Sequence, residues 1–295
     1  MAQRWSWSTT GYNFTGRPLD EVIETCAKAG LVGIEGAQEV FPTQTLPELR
    51  QIASRFAAAG LRIDTYHLPF PAELDIASFY ETTRRHAAAE MLVHLERAAA
   101  LGARAAIQHP TTTRHDVETE GLERYLEAMG RSLDTLLPRC AELGITLAVE
   151  NMLPGALGAP GQTGHRFGSR PEHLDLMAAR WPHPSLGFCL DTGHALVAGG
   201  PEGAPALFAA MAPRLAAFHL ADNAGDRDSH LAPGHGLVDW RTFFRQAARL
   251  GFAHPLCIET PPFAPGPSGL YPLAAWKEMV LEIEGLAAEA TATGP

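Results

Sequence analysis

The sequence predicts an α/β protein, a single (β/α)8 barrel over residues 1–295, on three observations. Short apolar runs alternate with longer amphipathic stretches, the pattern of a parallel sheet whose strands are covered by helices. Four of those stretches end in the same punctuation, Ala29-Gly30, Ala59-Gly60, Leu101-Gly102 and Leu143-Gly144, where glycine takes a left-handed cap before the next strand. Side chains that bind metals and substrates collect just after the apolar runs, and a closed barrel carries its chemistry at the carboxyl ends of its strands.

The elements follow in order. A first strand over 4–10 leads to a helix over 19–29, and a second over 31–37 to a helix over 47–59. The third and fourth strands, 61–68 and 103–109, precede long amphipathic helices over 77–101 and 122–143. The fifth strand, 145–151, enters a Pro/Gly-rich stretch at 153–169, expected to be an active-face loop and a candidate lid, before a helix over 171–179. Strands over 186–192, 215–222 and 255–260 alternate with helices over 204–212, 240–250 and 271–287, and 288–295 reads as a loose tail. No linker or repeat marks a second domain.

Composition narrows the function classes. The chain is 46% hydrophobic, enough for a full core, and its formal charge of −10 gives no basic footprint for nucleic acid. Cys26, Cys140, Cys189 and Cys257 lie far apart with no C-x-x-C pair, so a reduced, cytoplasmic setting is expected. No apolar run approaches the ~20 residues that span a bilayer. Lys28 and Lys277 are the only lysines and both fall on predicted outer helices, which disfavours Schiff-base chemistry. Neither a G-x-S-x-G elbow nor a phosphate-binding G-x-x-x-x-G-K loop occurs.

The strand ends carry His67, His109, Glu150, Asp191 with His194, His219 with Asp222, and Glu259, and the loop after the seventh strand adds Asp228 and His230. Singly, His67 or His109 reads as a hydrogen-bonded rim residue. Glu150 and Glu259 follow Leu147-Ala-Val and Leu256-Cys-Ile, so they would be desolvated unless paired or bound to a cation. Carboxylates converging on one barrel mouth repel, and a divalent ion relieves that; mixed His/Asp/Glu donors suit Mn2+, Co2+, Mg2+ or Zn2+. Glu35 could accept from substrate hydroxyls or pair with a rim arginine such as Arg62. Trp5, Trp7, Tyr12 and Phe70 could offer apolar faces to a sugar ring or pack as core. His235, in the turn Pro233-Gly-His-Gly236, is ambiguous.

Gly33-Ile-Glu35, His67-Leu-Pro-Phe70, His109-Pro110, Val149-Glu-Asn151, Cys189-Leu-Asp-Thr-Gly-His194, His219-Leu-Ala-Asp222, Asp228-Ser-His with Asp239-Trp240, and Ile258-Glu-Thr-Pro261 occur in barrel order across nearly the whole chain. In these stretches the sequence resembles the xylose isomerase-like TIM-barrel superfamily, which groups sugar isomerases and epimerases with the endonuclease IV branch of DNA repair. The resemblance implies one divalent metal held by Glu150, Asp191, His219 and Glu259. It implies that Glu150 and Glu259 remove and return a proton beside a carbonyl through a metal-stabilised enediolate. His67, His109, His194, Asp228, His230, Glu35, Arg227, Trp7 and Phe70 would support the site or touch substrate.

The substrate so implied is a small carbohydrate, a sugar, sugar phosphate or cyclic polyol; no membrane is involved, and a homo-oligomer is compatible with the sequence. The rival implication is a phosphodiesterase on abasic DNA, holding three Zn2+ through His67, His109, Glu150, Asp191, His194, His219, Asp228, His230 and Glu259. It ranks second. Residues 36–44 carry no arginine or lysine for a DNA backbone, and Glu150-Asn-Met-Leu-Pro-Gly lacks the Thr-Ala-Gly-Gln continuation of the repair enzymes. Within the isomerase branch, His235 stands where an acid is frequent, and the arginine expected soon after the seventh-strand histidine is missing at that spacing, with Arg227 as a candidate substitute. Dehydratases of keto-inositols or dehydroshikimate therefore stay open, as does a non-catalytic subunit with a vestigial site.

Overall fold

The structure, a computed structural model, describes residues 5–156, 162–262 and 271–292. Residue 4 of the predicted first strand, 157–161 of the candidate lid and 293–295 of the predicted tail lie outside the described residues.

Eight parallel strands close into a barrel: β1 Trp7–Thr10, β2 Gly33–Ala37, β3 Arg62–His67, β4 Ala105–Gln108, β5 Thr146–Glu150, β6 Leu186–Asp191, β7 Leu215–Leu220 and β8 Leu256–Ile258. Each strand pairs with its neighbours in sequence, and β1 closes the ring against β8 through Trp7–Leu256 and Ser8–Cys257. The fold is a (β/α)8 barrel.

The alternation of side chains along a strand decides what faces the axis. In β5, Leu147 and Val149 pack outward into the core beneath the helices, while Ala148 points inward; Phe188 and Leu190 of β6 and Phe218 and Leu220 of β7 behave the same way around Cys189 and Ala217. The middle of the barrel is thus filled by small residues, Ala105, Ala148, Cys189 and Ala217 with Ile107. Two residues further on, with the same inward parity, come Glu150, Asp191 and His219. The register sets Asp191 beside His219, and Glu150 beside Cys189 one layer lower on β6. Gly33 opens β2 at φ 151°, and a Cβ there would fall on the Arg62 carbonyl, so the close approach of β2 and β3 requires glycine.

Several predicted boundaries move. The third helix starts at Glu81 rather than 77, the residues before it lying in turns and bends. A helix at Thr192–Gly199 occupies part of a stretch read as loop; Asp191 is its N-cap, accepting from the His194 N–H at 2.6 Å. The last helix runs Leu273–Ala292, so 288–292 are helical rather than loose, with Ala290 buried. The described part of 153–169 folds back as a small hairpin, Gly155–Ala156 against Thr163–Gly164, tied to Arg114 and His115 of the preceding loop. All four cysteines are buried and free.

Candidate metal centre

At the carboxyl end of the barrel, one ligand atom from each of Glu150, Asp191, His219 and Glu259 lies within 4.8 Å of the others. His219 is the hub. Its Nδ1 is 2.8 Å from Glu150 Oε1 and 3.1 Å from Glu259 Oε2, and its Nε2 is 3.1 Å from Glu35 Oε2. A hydrogen on Nε2 given to Glu35 leaves the Nδ1 lone pair facing the two glutamates, the arrangement by which an outer carboxylate fixes a ligand's tautomer. Glu35, almost fully buried in β2, also accepts from Thr65 at 2.7 Å. It is therefore part of the cluster and not a rim residue, and Arg62, its expected alternative partner, pairs with Asp64 instead.

A second set lies beside the first. Glu150 Oε2 is 3.0 Å from His109 Nε2 and 3.7 Å from His67 Nε2. A third joins them: Asp228 Oδ2 is 2.8 Å from His230 Nε2 and 3.6 Å from His194 Nε2. Three of these imidazoles direct Nδ1 at a backbone carbonyl, His67 at Leu68, His194 at Asn151 and His230 at Glu259, at 2.8, 2.9 and 2.8 Å. A donated Nδ1–H leaves each Nε2 lone pair for the cleft, which suits metal ligation. His230 holds this pose at φ 46°, the only non-glycine with positive φ among the described residues, a local strain common at functional positions.

The cluster's own countercharge is imidazole, and those imidazoles would release protons on binding a cation. Burial works against charging His219, yet the surrounding acids, Glu259, Glu35 and Glu150 among them, lift its pKa well above the usual imidazole range. Burial likewise opposes His230, and Asp228 and Glu259 raise it to about 10. Glu150 is buried, but His219, His109 and His67 hold its carboxyl well below normal. Burial, with the charges of Glu259 and Glu150, pushes Asp191 well above normal. More acid converges here than these imidazoles stabilise, and a dication relieves that excess. The fit is borne by particular atoms: Glu150 Oε2, Asp191 Oδ2, Glu259 Oε2 and Asp228 Oδ1 are buried without a hydrogen-bond partner. Four hard or borderline donors with free oxygens fit a divalent cation.

Above the cluster lies a cleft of about 380 Å³, within the roughly 300–1,000 Å³ of small-molecule sites. Phe70, 45% exposed, lies against His109 and His67 with ring centroids 4.6 and 5.0 Å away, and Tyr12 meets His67 edge-on at 6.2 Å. Some expectations fail. Trp7 is 1% exposed and packs edge-on to Phe244, and Trp5 stacks behind it, so neither faces the cleft. Arg227 is exposed and does not line the cleft. Asp222 is spent on its own loop: Asn223 N, Val238 N, Gly234 N and the Trp240 indole N–H all donate to it at 2.7–3.0 Å. His235 sits outside, 3.1 Å from Glu282. Sequence reading missed Arg114 and Arg166, which line the cleft from the loop after β4 and from behind the hairpin. No helix among the described residues is long and apolar enough to cross a membrane.

A family model described as a xylose isomerase-like TIM barrel matches residues 23–279. The chain belongs to this family. Among curated relatives, the uncharacterized protein y4fM of Sinorhizobium fredii (strain NBRC 101917 / NGR234) is 29% identical over 185 residues, 60% of this chain and only 54% of that protein's length. A protein named probable endonuclease 4 from Chloroflexus aurantiacus (strain ATCC 29366 / DSM 635 / J-10-fl) is 30% identical over 203 residues, 64% of this chain and 67% of its own. Among solved structures, a D-tagatose 3-epimerase-like protein superposes with a TM-score of 0.75 at 20% identity, over 97% of this chain and 99% of that one. At that identity the likeness is one of fold. In this xylose isomerase-like barrel the nine His, Asp and Glu side chains of the three groups come from the ends of six of the eight strands and the loops that follow them.

Proposed function

We propose that the protein is a metal-dependent isomerase or epimerase of a carbohydrate or cyclic polyol, working by proton transfer at a carbon beside a carbonyl. One observation carries this reading: buried Glu150 at the end of β5 and part-buried Glu259 just after β8 converge on the single imidazole of His219, and neither Glu150 Oε2 nor Glu259 Oε2 accepts an aligned hydrogen bond. Membership of the xylose isomerase-like barrel family, and a fold shared with a D-tagatose 3-epimerase-like protein, support it. Glu150, Asp191, His219 and Glu259 would hold the cation, which as a Lewis acid stabilises charge developing on the substrate oxygens. Glu150 or Glu259, through the carboxylate oxygen that does not hold the cation, takes the proton from the carbon, and the other carboxylate returns one in the same way. Glu35 keeps the His219 tautomer. Phe70 and Tyr12 close the sides of the cleft and keep water from the reacting carbon.

The test is deuterium incorporation from heavy water into a panel of ketoses and cyclic polyols. Glu150→Gln and Glu259→Gln should each lower exchange by roughly 10²–10⁴-fold, the span of general acid–base contributions. A fully metal-loaded protein that exchanges no proton of any panel member overturns the reading.

A second reading, a zinc phosphodiesterase on abasic DNA, is favoured by the clustering of all nine donor residues in three adjoining groups and by the relative named probable endonuclease 4. It requires about three tightly held zinc ions per chain and incision of an abasic duplex, against the smaller metal content and sugar exchange of the first.

A further inference from the structure

The same cleft has a basic wall. Arg166, 5% exposed, follows the hairpin, and Arg114 lies opposite the hairpin's first strand; both line the cleft that His109, Asp228 and Glu259 also line. Arg166 Nη2 donates to the Thr111 carbonyl at 2.7 Å, while its Nε is buried with no partner. Among the described residues neither arginine has a carboxylate within 4 Å, and residues 157–161 and 263–270 carry no acidic side chain. The nearby acid, Asp75, is spent on Ala77 N and Thr111 Oγ1, each at 2.8 Å.

A buried guanidinium is costly unless something pairs with it. Here the chain supplies one backbone oxygen, sets a second arginine on the same wall, and leaves a donor unused. We propose that Arg166 and Arg114 form an anion subsite, which receives a phosphate or carboxylate substituent of the substrate whose carbonyl end lies at Glu150 and Glu259. The guanidinium fork matches either oxyanion, and the hydrogen bonds are charge-assisted. The cleft is then bipolar: acids hold the reacting end and arginines hold the far end, so the substrate has one orientation. This deepens the isomerase reading and rests on it for the substrate; anion binding itself needs no turnover.

Titration calorimetry on the full chain with its metal, using inorganic phosphate, glycerol 3-phosphate, D-glycerate and glycerol as probes, tests it. Arg166→Gln, which keeps a donor for Thr111, should weaken inorganic phosphate about ten- to a hundredfold at unchanged metal content, and Arg114→Ala by a few-fold. Preference for glycerol 3-phosphate assigns a phosphate, and preference for D-glycerate assigns a carboxylate. Wild-type phosphate affinity in a folded Arg166→Gln protein overturns the subsite, as does glycerol binding as well as both anions. Should Arg166→Gln fail to fold, exposed Arg114 carries the test, and unchanged phosphate affinity in Arg114→Ala overturns the pairing. The two proposals fail separately: phosphate binding lost with Arg166→Gln but no proton exchange in wild type removes the isomerase reading and leaves the subsite.

Discussion

Asp64, near the amino end of β3, and Glu150, at the carboxyl end of β5, are both buried carboxylates, and the chain treats them in opposite ways. Asp64 accepts from Arg104 Nε at 2.8 Å and Arg62 Nε at 3.3 Å, so its countercharge is built in. Glu150 meets only imidazoles, and its Oε2, 3.0 Å from His109 Nε2, accepts no aligned hydrogen bond, as with one oxygen each of Asp191 and Glu259. The difference teaches where a barrel spends its charges. At the amino end the acid is matched by arginine; at the carboxyl end the acids meet only imidazoles, which is what the proposed cation site requires.

The sharpest way to break this comparison is to remove the cation. A ligand held at a thousand times its dissociation constant stabilises by about 4 kcal/mol, and about 1 kcal/mol moves the melting point of a large domain by roughly 2–4 °C. Exhaustive chelation should therefore lower Tm on the order of 10 °C and abolish proton exchange, with recovery on adding Mn2+, Co2+ or Zn2+. A melting curve indifferent to chelation would mean that the imidazoles alone satisfy the carboxylates.

The amino end predicts a smaller and purely structural effect. Asp64→Asn keeps an acceptor for Arg104 but removes its countercharge, at a cost of about 1–2 kcal/mol. Denaturant unfolding should show this loss with metal content and exchange rate unchanged. An Asp64→Asn protein that lost metal would join the two ends and erase the contrast.

Much of the carboxyl end was legible because two periodicities agree there. Ala148 and Glu150, Cys189 and Asp191, Ala217 and His219, and Cys257 and Glu259 share inward parity, so a small apolar residue two places earlier marks each member of the cluster. The glycine caps at 30, 102 and 144 take left-handed φ of 84°, 80° and 68° as their spacing implies. What could not be read is equally specific. Trp7 belongs to a four-residue strand of polar and aromatic residues, too short to show which face is inward, and it packs outward on Phe244. Thr192–Gly199 contains glycines that argue against a helix, and its start depends on Asp191 serving as cap while its other oxygen faces the cluster. Arg166 stands in a Pro/Gly-rich stretch with no periodicity, so only the folded hairpin places it in the cleft. Asp222 looked like the other strand-end acids, and only the return of 234–240 reveals four donors on it.

The smallest effect sharpens the comparison with a buried residue outside both clusters. His173, on the helix Pro171–Arg180, is 2% exposed and its Nδ1 accepts from the Gly168 N–H at 3.2 Å, which requires a lone pair on that nitrogen. Burial, reinforced by the charges of Arg170 and His165, pushes its pKa down to about 4. An unfolded chain protonates the same imidazole near its ordinary value of about 6.5. Above that value both states are neutral and the group contributes nothing to pH dependence. As pH falls from about 6.5 toward 4 only the unfolded chain takes the proton, so stability drops, by an upper limit of about 3 kcal/mol and more realistically about 1. His173→Asn keeps an oxygen acceptor for Gly168 and cannot titrate. It should be somewhat less stable than wild type at pH 7.5, with the gap shrinking as pH falls to 4.5. Parallel stability curves for the two proteins across that window would show that His173 does not stay neutral in the fold.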